Sequence, residues 1–483
     1  MMHFDTVLAG GDLLLPGADP IAADLAIRDG KFAAILARGT AVSAAARLNI
    51  TGLTVLPGVV DAHLHLGHGK DISRPRVAAD AAQETAAAAV GGITTFLPYL
   101  MATEPFETIF AEVLAVTEAG ARIDFGYHCI ISTEAQLAGV PHYARDFGAP
   151  SFKIFMNNRG GEGQRLGLPD IDDGFLFRLC EAAAASGGIV CPHPENIEIS
   201  WVLRDRLKRA DPDGRGGLSA WNASRPPMVE ADAVQRAALT AQAAGCGLYI
   251  VHTTSAAALA AAVSARRRGC RIAIETCPHY LTHDVAFVGG DVGKINPPLR
   301  GAIDRDALWA GIADGSIDTV ATDHVHRDLS GKAGGIWNAA PGCPGLETLL
   351  PVMLSEGHCR RGIPLRRIVE LLARNPAQEM GLGHAKGTIA IGHDADVAIV
   401  DLKRKWTLER PGVHSSAGYS IYEGWQFQGQ VVHTLVRGRV VLRDLAVVPE
   451  SAGWGRYQHR LTPKRAGAEA RPQALGATGP TPS

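Results

Sequence analysis

The sequence predicts an α/β protein built on a (β/α)8 TIM-like barrel, with a small β-sandwich domain formed from both termini. Short apolar runs alternate with amphipathic, often Ala-rich stretches between residues 55 and 384, as in repeated β-then-α units. Eight such runs are present, which is the strand number of this barrel. The flanks, residues 1–54 and 385–448, are strand-like and carry Gly-Asp or Arg-Gly turns.

The eight predicted strands explain the central region. In chain order they read VVDAHLHL, TTFLPYL, DFGYHCII, SFKIFM, GIVCPH, LYIVHTT, RIAIETC and DTVATDH. Between them lie stretches such as RVAADAAQETAAAAV and EADAVQRAALTAQAA, whose apolar spacing suits a helix with one buried face. This order predicts a barrel strand followed by a covering helix, repeated around the domain.

The two flanks are predicted to pair with each other. Residues 1–54 contain FDTVLAGGDLLL and AADLAIRDGKFAAILA, while residues 385–448 contain KGTIAIGHDADVAIVDL and QVVHTLVRGRVVLRD. Neither flank alone has enough strands for a core, so both ends should form one β domain. Residues 449–483 are poor in large apolar side chains, which indicates a flexible or oligomer-contacting tail.

Composition excludes several classes of protein. With 483 residues, 46% hydrophobic and 20% charged, the chain is long enough for a large domain and a smaller companion. The net charge of −2 offers no concentrated basic face, so nucleic acid is not an expected partner.

Cysteine usage and the N-terminus predict a cytoplasmic location. The eight cysteines form no CxxC pair, which is typical of reduced thiols, and the N-terminus lacks the basic start of a secretory signal. The uncharged run Thr85–Thr103 is interrupted by Gly91, Gly92 and Pro98. It therefore predicts a soluble helix followed by a buried strand rather than a membrane span.

Polar side chains fall in, or at the ends of, five predicted strands. The residues are His63, His65, Lys153, His193, His252 and Asp323. Side chains two apart on a strand point to the same side, so His63 and His65 could converge on one point. Active-site groups of a (β/α)8 barrel project from the C-terminal ends of its strands, where these residues would meet.

The residue types suit a site with two metal ions. Four imidazoles could divide as two per ion, and Asp323 could bind one ion and accept a proton from water. Lys153 would supply a bridging anion only as a carbamate formed with carbon dioxide. Each residue also has a structural interpretation: hydrogen-bonded histidines, a lysine paired with a buried acid, and an aspartate in a cap or turn.

Ordered motifs from about residue 3 to 445 resemble those of the cyclic amidohydrolases: dihydropyrimidinase, hydantoinase, allantoinase and dihydroorotase. The motifs are GVVDAHLHL, GGITTF, SFKIFM, VCPHPEN, LYIVHTTS, ETCPHYL, NPPLRG, VATDH, NPAQEMGL and KGTIAIGHDADVAIVD. The resemblance implies a distorted barrel, a β-sandwich from both termini and a homo-oligomer, a tetramer or a dimer.

The resemblance also implies a metal-dependent hydrolase whose two divalent metals are bridged by carboxylated Lys153. Zinc is the first expectation, with manganese or cobalt as alternatives. His63, His65 and Asp323 would hold the more buried metal, and His193 with His252 the more exposed one. A bridging hydroxide would attack a ring amide carbonyl, and Asp323 would pass its proton to the leaving nitrogen.

The implied substrate is a small-molecule cyclic amide, a hydantoin or dihydropyrimidine-like ring opened to an N-carbamoyl amino acid. Allantoinase is the first alternative. Dihydroorotases usually follow the paired histidines with an arginine, whereas here His65 is followed by Leu66, Gly67 and His68. A related deaminase and a non-catalytic scaffold relative are further alternatives.

Two asparagines are candidate substrate-binding residues. By resemblance Asn296 lies where the family contacts the substrate ring. Asn158 stands in the neighbourhood where dihydropyrimidinases and D-hydantoinases usually carry a tyrosine that donates to the developing oxyanion, and an amide is a weaker donor. Three further candidates have two open interpretations, a supporting or loop-stabilising role and direct contact with the substrate: His279, His324 and His326.

Overall fold

The structure, a computed structural model, describes residues 3–462. Its N-terminal segment contains only strands: β1 (His3–Ala9), β2 (Asp12–Leu13), β3 (Ile21–Arg28), β4 (Lys31–Ala37), β5 (Ser43–Asn49) and β6 (Thr54–Pro57). Strand β1 lies between β3, its antiparallel partner, and β5, its parallel partner. Strand β2 connects β3 to β6.

The barrel follows directly. Its strands are β7 (Val59–His65), β8 (Ile93–Leu100), β9 (Asp124–Phe125), β10 (His128–Ile130), β11 (Ser151–Phe155), β12 (Ile189–His193), β13 (Gly247–Ile250), β14 (Ile272–Thr276), β15 (Thr319–Val320) and β16 (His324–Val325). All neighbouring strands are parallel. Since β15 pairs with β14 and β16 pairs with β7, residues 319–325 close the barrel. The predicted (β/α)8 barrel is confirmed, with its third and eighth strands each in two pieces.

Helices connect the barrel strands, as the alternating pattern predicts. They are α1 (Ala78–Val90), α2 (Phe110–Gly120), α3 (Glu134–Arg145), α4 (Asp173–Ala185), α5 (Ile197–Ala210), α6 (Gly217–Ser224), α7 (Pro227–Ala244), α8 (Ala256–Arg267), α9 (Pro278–Thr282), α10 (Ala302–Asp314), α11 (Leu349–Val352), α12 (Leu365–Val369) and α13 (Asn375–Glu379). Strands β7 and β8 are buried along their whole length. Strands of a parallel sheet that is covered on both faces read as nearly continuous apolar runs for this reason.

The C-terminal strands complete the sheet begun by the N-terminus. They are β17 (Val397–Thr407), β18 (Gln426–Val436), β19 (Arg439–Arg443) and β20 (Ala446–Val447). Strand β17 pairs antiparallel with β6, with Val397 opposite Pro57. One apolar core joins Leu25 and Phe32 from the first segment to Ile399 and Leu435 from the last. The prediction of one β domain from both termini is therefore confirmed.

The segment after β20 lies against the barrel as far as it is described. Tyr457 donates to the carbonyl of Phe147 over 2.6 Å, and the buried Arg460 donates to Tyr127 O and Ser151 Oγ over 2.5 and 2.7 Å. Two long side chains thus anchor a stretch that composition alone marks as poorly apolar. Residues 463–483, the rest of the predicted flexible or oligomer-contacting tail, lie outside the described residues.

The cysteines are free and the uncharged run Thr85–Thr103 forms a helix and a strand, as the sequence predicts. All eight cysteines are free, and seven of them are buried. The uncharged run Thr85–Thr103 falls on the second half of α1 and on β8. Among residues 3–462, no helix is long and apolar enough to cross a membrane.

Candidate metal centre

The six polar residues predicted from strand ends meet at the C-terminal end of the barrel. His63 and His65 lie on β7, Lys153 on β11 and His193 at the end of β12. His252 and Asp323 follow β13 and β15, and none of the six side chains is exposed. The structure thus brings together residues that are up to 260 positions apart in the sequence.

His63, His65 and Asp323 form the tightest group. Their ligand atoms all lie within 4.8 Å of one another. Asp323 Oδ1 is 3.1 Å from His63 Nε2 and 3.9 Å from His65 Nε2. On its other side, His63 Nδ1 contacts Glu275 Oε1 over 2.7 Å. With its proton on Nδ1, this imidazole directs the lone pair of Nε2 toward Asp323 and the barrel centre.

His193 and His252 form a second pair beside that group. His193 Nδ1 and His252 Nε2 are 2.9 Å apart, and the ring centroids of His252 and His63 are 5.4 Å apart. The far nitrogen of His193, Nε2, contacts the buried Glu195 over 2.7 Å. As in the first group, a carboxylate fixes the outer edge of the ring and leaves the other nitrogen facing the centre.

Lys153 lies between the two groups in an aromatic environment. Its Nζ is 4.7 Å from the ring centroid of Tyr99 and 5.4 Å from that of Phe155, and the residue is 1% exposed. Burial lowers the pKa of Lys153 to about 8, although the charge of Asp323 opposes the shift. Within residues 3–462 Lys153 forms no ion pair with an acid. The structural interpretation of Lys153, a lysine that pairs with a buried acid, is therefore not what the structure has.

Burial determines the charge state of most of the imidazoles. It lowers the pKa of His65 to about 3, and it also lowers the pKa values of His193 and His252. Glu275 and Asp323 outweigh burial at His63 and raise its pKa, and in return His63 holds the pKa of Asp323 below its ordinary value, although burial alone would raise it. Imidazole nitrogens beside an ionised carboxylate are a donor set that suits zinc and similar divalent metals.

Two of the six residues hold a strained backbone. His252 and Asp323 have φ angles of 40° and 46°, and they are the only non-glycine residues between β7 and α13 with positive φ. Such angles are costly for residues with a Cβ and persist only where the surroundings enforce them. The main-chain N–H of Asp323 donates to His63 O over 2.8 Å, and that of His252 donates to Glu275 Oε1 over 2.9 Å.

Two residues that orient the proposed ligands were not predicted from the sequence: Glu275, which contacts His63, and Glu195, which contacts His193. Both carboxylates are fully buried, and Glu275 lies in β14 within the apolar stretch IAIETC. A lone acidic residue inside a buried strand was the available signal, because burying a charge is costly unless it has partners. Tyr99, which packs edge-on against His63 at 4.9 Å, was also missed.

The other predicted residues surround this centre in less direct ways. The Oδ1 atom of Asn296 is buried without a hydrogen-bond partner, while the amide of Asn158 lies against Gly163. His324 faces Glu84 with 3.1 Å between Nε2 and Oε2. Orphaned ring nitrogens remain on two buried histidines, His279 and His326.

The residues present fit a divalent cation held by His63, His65 and Asp323. His63 Nε2, His65 Nδ1 and His252 Nδ1 are buried nitrogens without a hydrogen-bond partner among the described residues. Buried polar atoms in native structures nearly always have one, and the unpartnered His63 Nε2 lies 3.1 Å from Asp323 Oδ1, so this position suits a bound cation. Imidazole nitrogen and carboxylate oxygen are suitable donors for zinc, manganese and cobalt.

Comparison with known proteins agrees with this geometry. Residues 295–441 match the model of the family described as Amidohydrolase family. The chain is 35% identical to an allantoinase of Solibacter usitatus over 93% of its own length and 96% of that protein. It is 34% identical to a D-hydantoinase of Ralstonia pickettii, covering 92% and 97%. The solved structure of an L-hydantoinase (dihydropyrimidinase) from Arthrobacter aurescens superposes with a TM-score of 0.86 at 30% identity, covering 94% and 99%.

Proposed function

Since the chain belongs to the amidohydrolase family, in the group of allantoinases, hydantoinases and dihydropyrimidinases, we propose that it opens a hydantoin or dihydropyrimidine-like ring. It is a hydrolase of cyclic amides, and the product on this proposal is an N-carbamoyl amino acid. The observation that carries the proposal is the convergence of His63, His65 and Asp323, whose ligand atoms lie within 4.8 Å of one another at the barrel mouth.

The proposed metal ligands divide into two sets. His63, His65 and Asp323 would hold one divalent cation, and His193 with His252 the other. Zinc is the first candidate, with manganese and cobalt as alternatives. Bound cations would lower the pKa of a water molecule and polarise the ring carbonyl.

Lys153 is proposed as the bridging ligand. Its amine would take up carbon dioxide, forming a bond between Nζ and carbon and releasing a proton, which gives a carbamate. The position favours this reaction because Nζ lies among the rings of Tyr99 and Phe155 rather than against an acid. The carbamate would bring one negative charge to a site that otherwise has four imidazoles and one carboxylate.

Asp323 is proposed to move the proton in the reaction. A carboxylate oxygen of Asp323 would accept a proton from the attacking water and donate it to the ring nitrogen as the C–N bond breaks. The water oxygen ends in the new carboxylate, one water proton ends on the carbamoyl nitrogen, and the other goes to solvent as the new carboxylic acid ionises. The main-chain N–H of Asp323, which donates to His63 O over 2.8 Å, would hold this residue in place for both steps.

Allantoin is the second candidate substrate. Identity to the allantoinase, 35%, is close to that to the D-hydantoinase, 34%, so overall similarity does not separate the two activities. Dihydroorotate is less favoured because Leu66, Gly67 and His68 follow His65, without the arginine typical of dihydroorotases. A homotetramer or homodimer and a cytoplasmic location are also proposed, and light scattering on the purified protein tests the first.

One experiment tests the proposal. The purified protein is analysed for bound metal and then assayed, with manganese and with zinc, on hydantoins, dihydrouracil, allantoin and dihydroorotate. We expect about two divalent ions per chain and a ring-opened acid from at least one of these rings. Release of ammonia would indicate a deaminase, and a protein that stays metal-free and inactive after metal and bicarbonate are supplied would be a scaffold.

A further inference from the structure

Four cationic side chains at the mouth of the barrel have no role in the proposed reaction. We name them the cationic rim: Arg165, Lys294, Arg327 and Lys332. Arg165 lies on the loop after β11, Lys294 on the loop after α9, and the other two on the loop after β16. Loops that follow the C-terminal ends of barrel strands surround the active site, so these four residues belong to the loops around the proposed metal centre.

Lys294 is the most deeply placed member of the rim. It is 2% exposed, and its Nζ lies 4.2 Å from the ring centroid of Trp221. The guanidinium of Arg225 lies 4.9 Å from the same centroid and pairs with Glu195 over 2.8 Å. Because Glu195 also contacts His193, a short chain of contacts connects Lys294 to a proposed metal ligand.

The rim lacks acidic partners. Within residues 3–462 none of its four side chains forms an ion pair, and the nearby Glu162 already pairs with Arg204 and Arg225 over 3.1 and 3.2 Å. Burial, together with repulsion from Arg165 and Arg225, lowers the pKa of Lys294 to about 7. A buried ammonium without a counter-charge is costly, and an anion supplied from outside would remove that cost.

The position of Lys294 relative to Asn296 connects the rim to the substrate. Asn296, the proposed ring contact, is two residues further along the chain and has an unpartnered buried Oδ1. The intervening Ile295 is held because Trp221 Nε1 donates to its carbonyl over 3.0 Å. A substrate ring that binds Asn296 would therefore contact the same short segment that carries Lys294.

We propose that the cationic rim binds an anionic substituent, so that the preferred substrates are cyclic amides that carry a carboxylate on a short side chain. This inference rests on the proposed function and specifies its substrate class. Lysine and arginine are the usual partners of carboxylates, and charge-assisted hydrogen bonds are about twice as strong as neutral ones. The ring-opened product is then an N-carbamoyl amino acid with a second carboxylate.

A matched pair of substrates tests the inference on the metal-loaded enzyme: 5-(2-carboxyethyl)hydantoin and its primary amide, which has nearly the same shape and no charge. We expect kcat/KM to be at least about tenfold higher for the acid, mainly through KM, and the ratio to fall as salt rises. Lys294→Met and, at the exposed Arg165, Arg165→Gln should each reduce the ratio by about tenfold.

The control is Lys208→Met on α5, since Lys208 also lies over a tryptophan ring, 5.9 Å from the centroid of Trp337, but outside the rim. This variant should keep the wild-type ratio. Equal kcat/KM for the two substrates in the wild type, or equal losses on both in the Lys294 and Arg165 variants, would overturn the inference while leaving ring opening intact. Failure to open any ring would instead refute the proposed function and, with it, this inference.

Discussion

Replacing Glu275 by glutamine is the most direct test of how the metal centre is held. The Oε1 atom of Glu275 lies 2.7 Å from His63 Nδ1 and 2.9 Å from the main-chain nitrogen of His252, so one buried carboxylate contacts residues of both proposed metal sites. Glu275→Gln keeps the shape of the side chain and removes its charge. His63 then loses its anionic partner, and either nitrogen of its ring can carry the proton.

The size of the effect follows from these two contacts. A hydrogen bond to a charged group contributes about 1.5–3 kcal/mol, and about 1.4 kcal/mol corresponds to a factor of ten. Loss of the charge should therefore weaken metal binding and lower kcat/KM by about 10- to 100-fold. Substitutions of residues that orient metal ligands typically have effects of this size.

The assay is a metal titration of the metal-free protein, followed by steady-state kinetics at saturating metal. Glu230→Gln is the matched control, because Glu230 is equally buried and pairs with Arg300 over 3.2 Å and Thr254 over 2.5 Å, away from the imidazoles. Both variants should lose stability, but only the Glu275 variant should lose metal affinity. Metal affinity and turnover of Glu275→Gln within twofold of wild type would refute the reasoning.

Four further substitutions test other parts of the structure. Lys153→Ala should empty the bridged site and abolish turnover, measured by metal content and rate, and short carboxylic acids should restore part of it; full activity would exclude the bridging role. Asp323→Asn should keep much of the metal and lose turnover, so a retained kcat would exclude proton transfer by Asp323. Asn158→Tyr should raise kcat/KM for hydantoin or dihydrouracil, and unchanged rates on every ring would place residue 158 outside the pocket. Lys386→Met should lower the free energy of unfolding in urea by about 3–5 kcal/mol, because it leaves the buried Asp396 without a cation and removes one of the two cations of Asp124 and of Asp394, which keep Arg437 and Lys31; a loss below about 1 kcal/mol would contradict this.

The barrel could be predicted because its strands are buried on both faces. Burial of this kind produces apolar runs of four to eight residues, and alternation with Ala-rich helical stretches reveals the βα order. The strand ends then identify His63, His193 and His252 as a set, since parallel strands place their C-terminal ends at one edge. These inferences need only local patterns and one topological rule.

Other features depend on contacts that no local pattern contains. The antiparallel pairing of β6 with β17 joins positions at least 340 residues apart, and its register is set by packing. Glu275 contacts His63, which lies 212 residues earlier in the sequence, and no pattern in the stretch IAIETC identifies this partner. The cationic rim could not be predicted from the sequence either. Lysine and arginine are ordinary surface residues, and only the fold shows that Lys294 is buried without an acidic partner.

The strained backbone at His252 and Asp323 shows how the barrel interior supports its own site. Glu275 holds the main chain at His252, and Asp61 holds the residue before Asp323, accepting from Thr322 N over 3.0 Å and from Thr322 Oγ1 over 2.5 Å. Asp61 precedes His63 by two positions on β7, so its side chain shares the face of the two histidines. The alternation Asp61, His63, His65 therefore places two proposed ligands and the support of a third on one face of a single strand. Asp61→Ala removes that support. Because strained angles persist only while neighbouring contacts enforce them, the backbone at Asp323 should relax. Metal binding should then weaken, although Asp61 is not itself a proposed ligand.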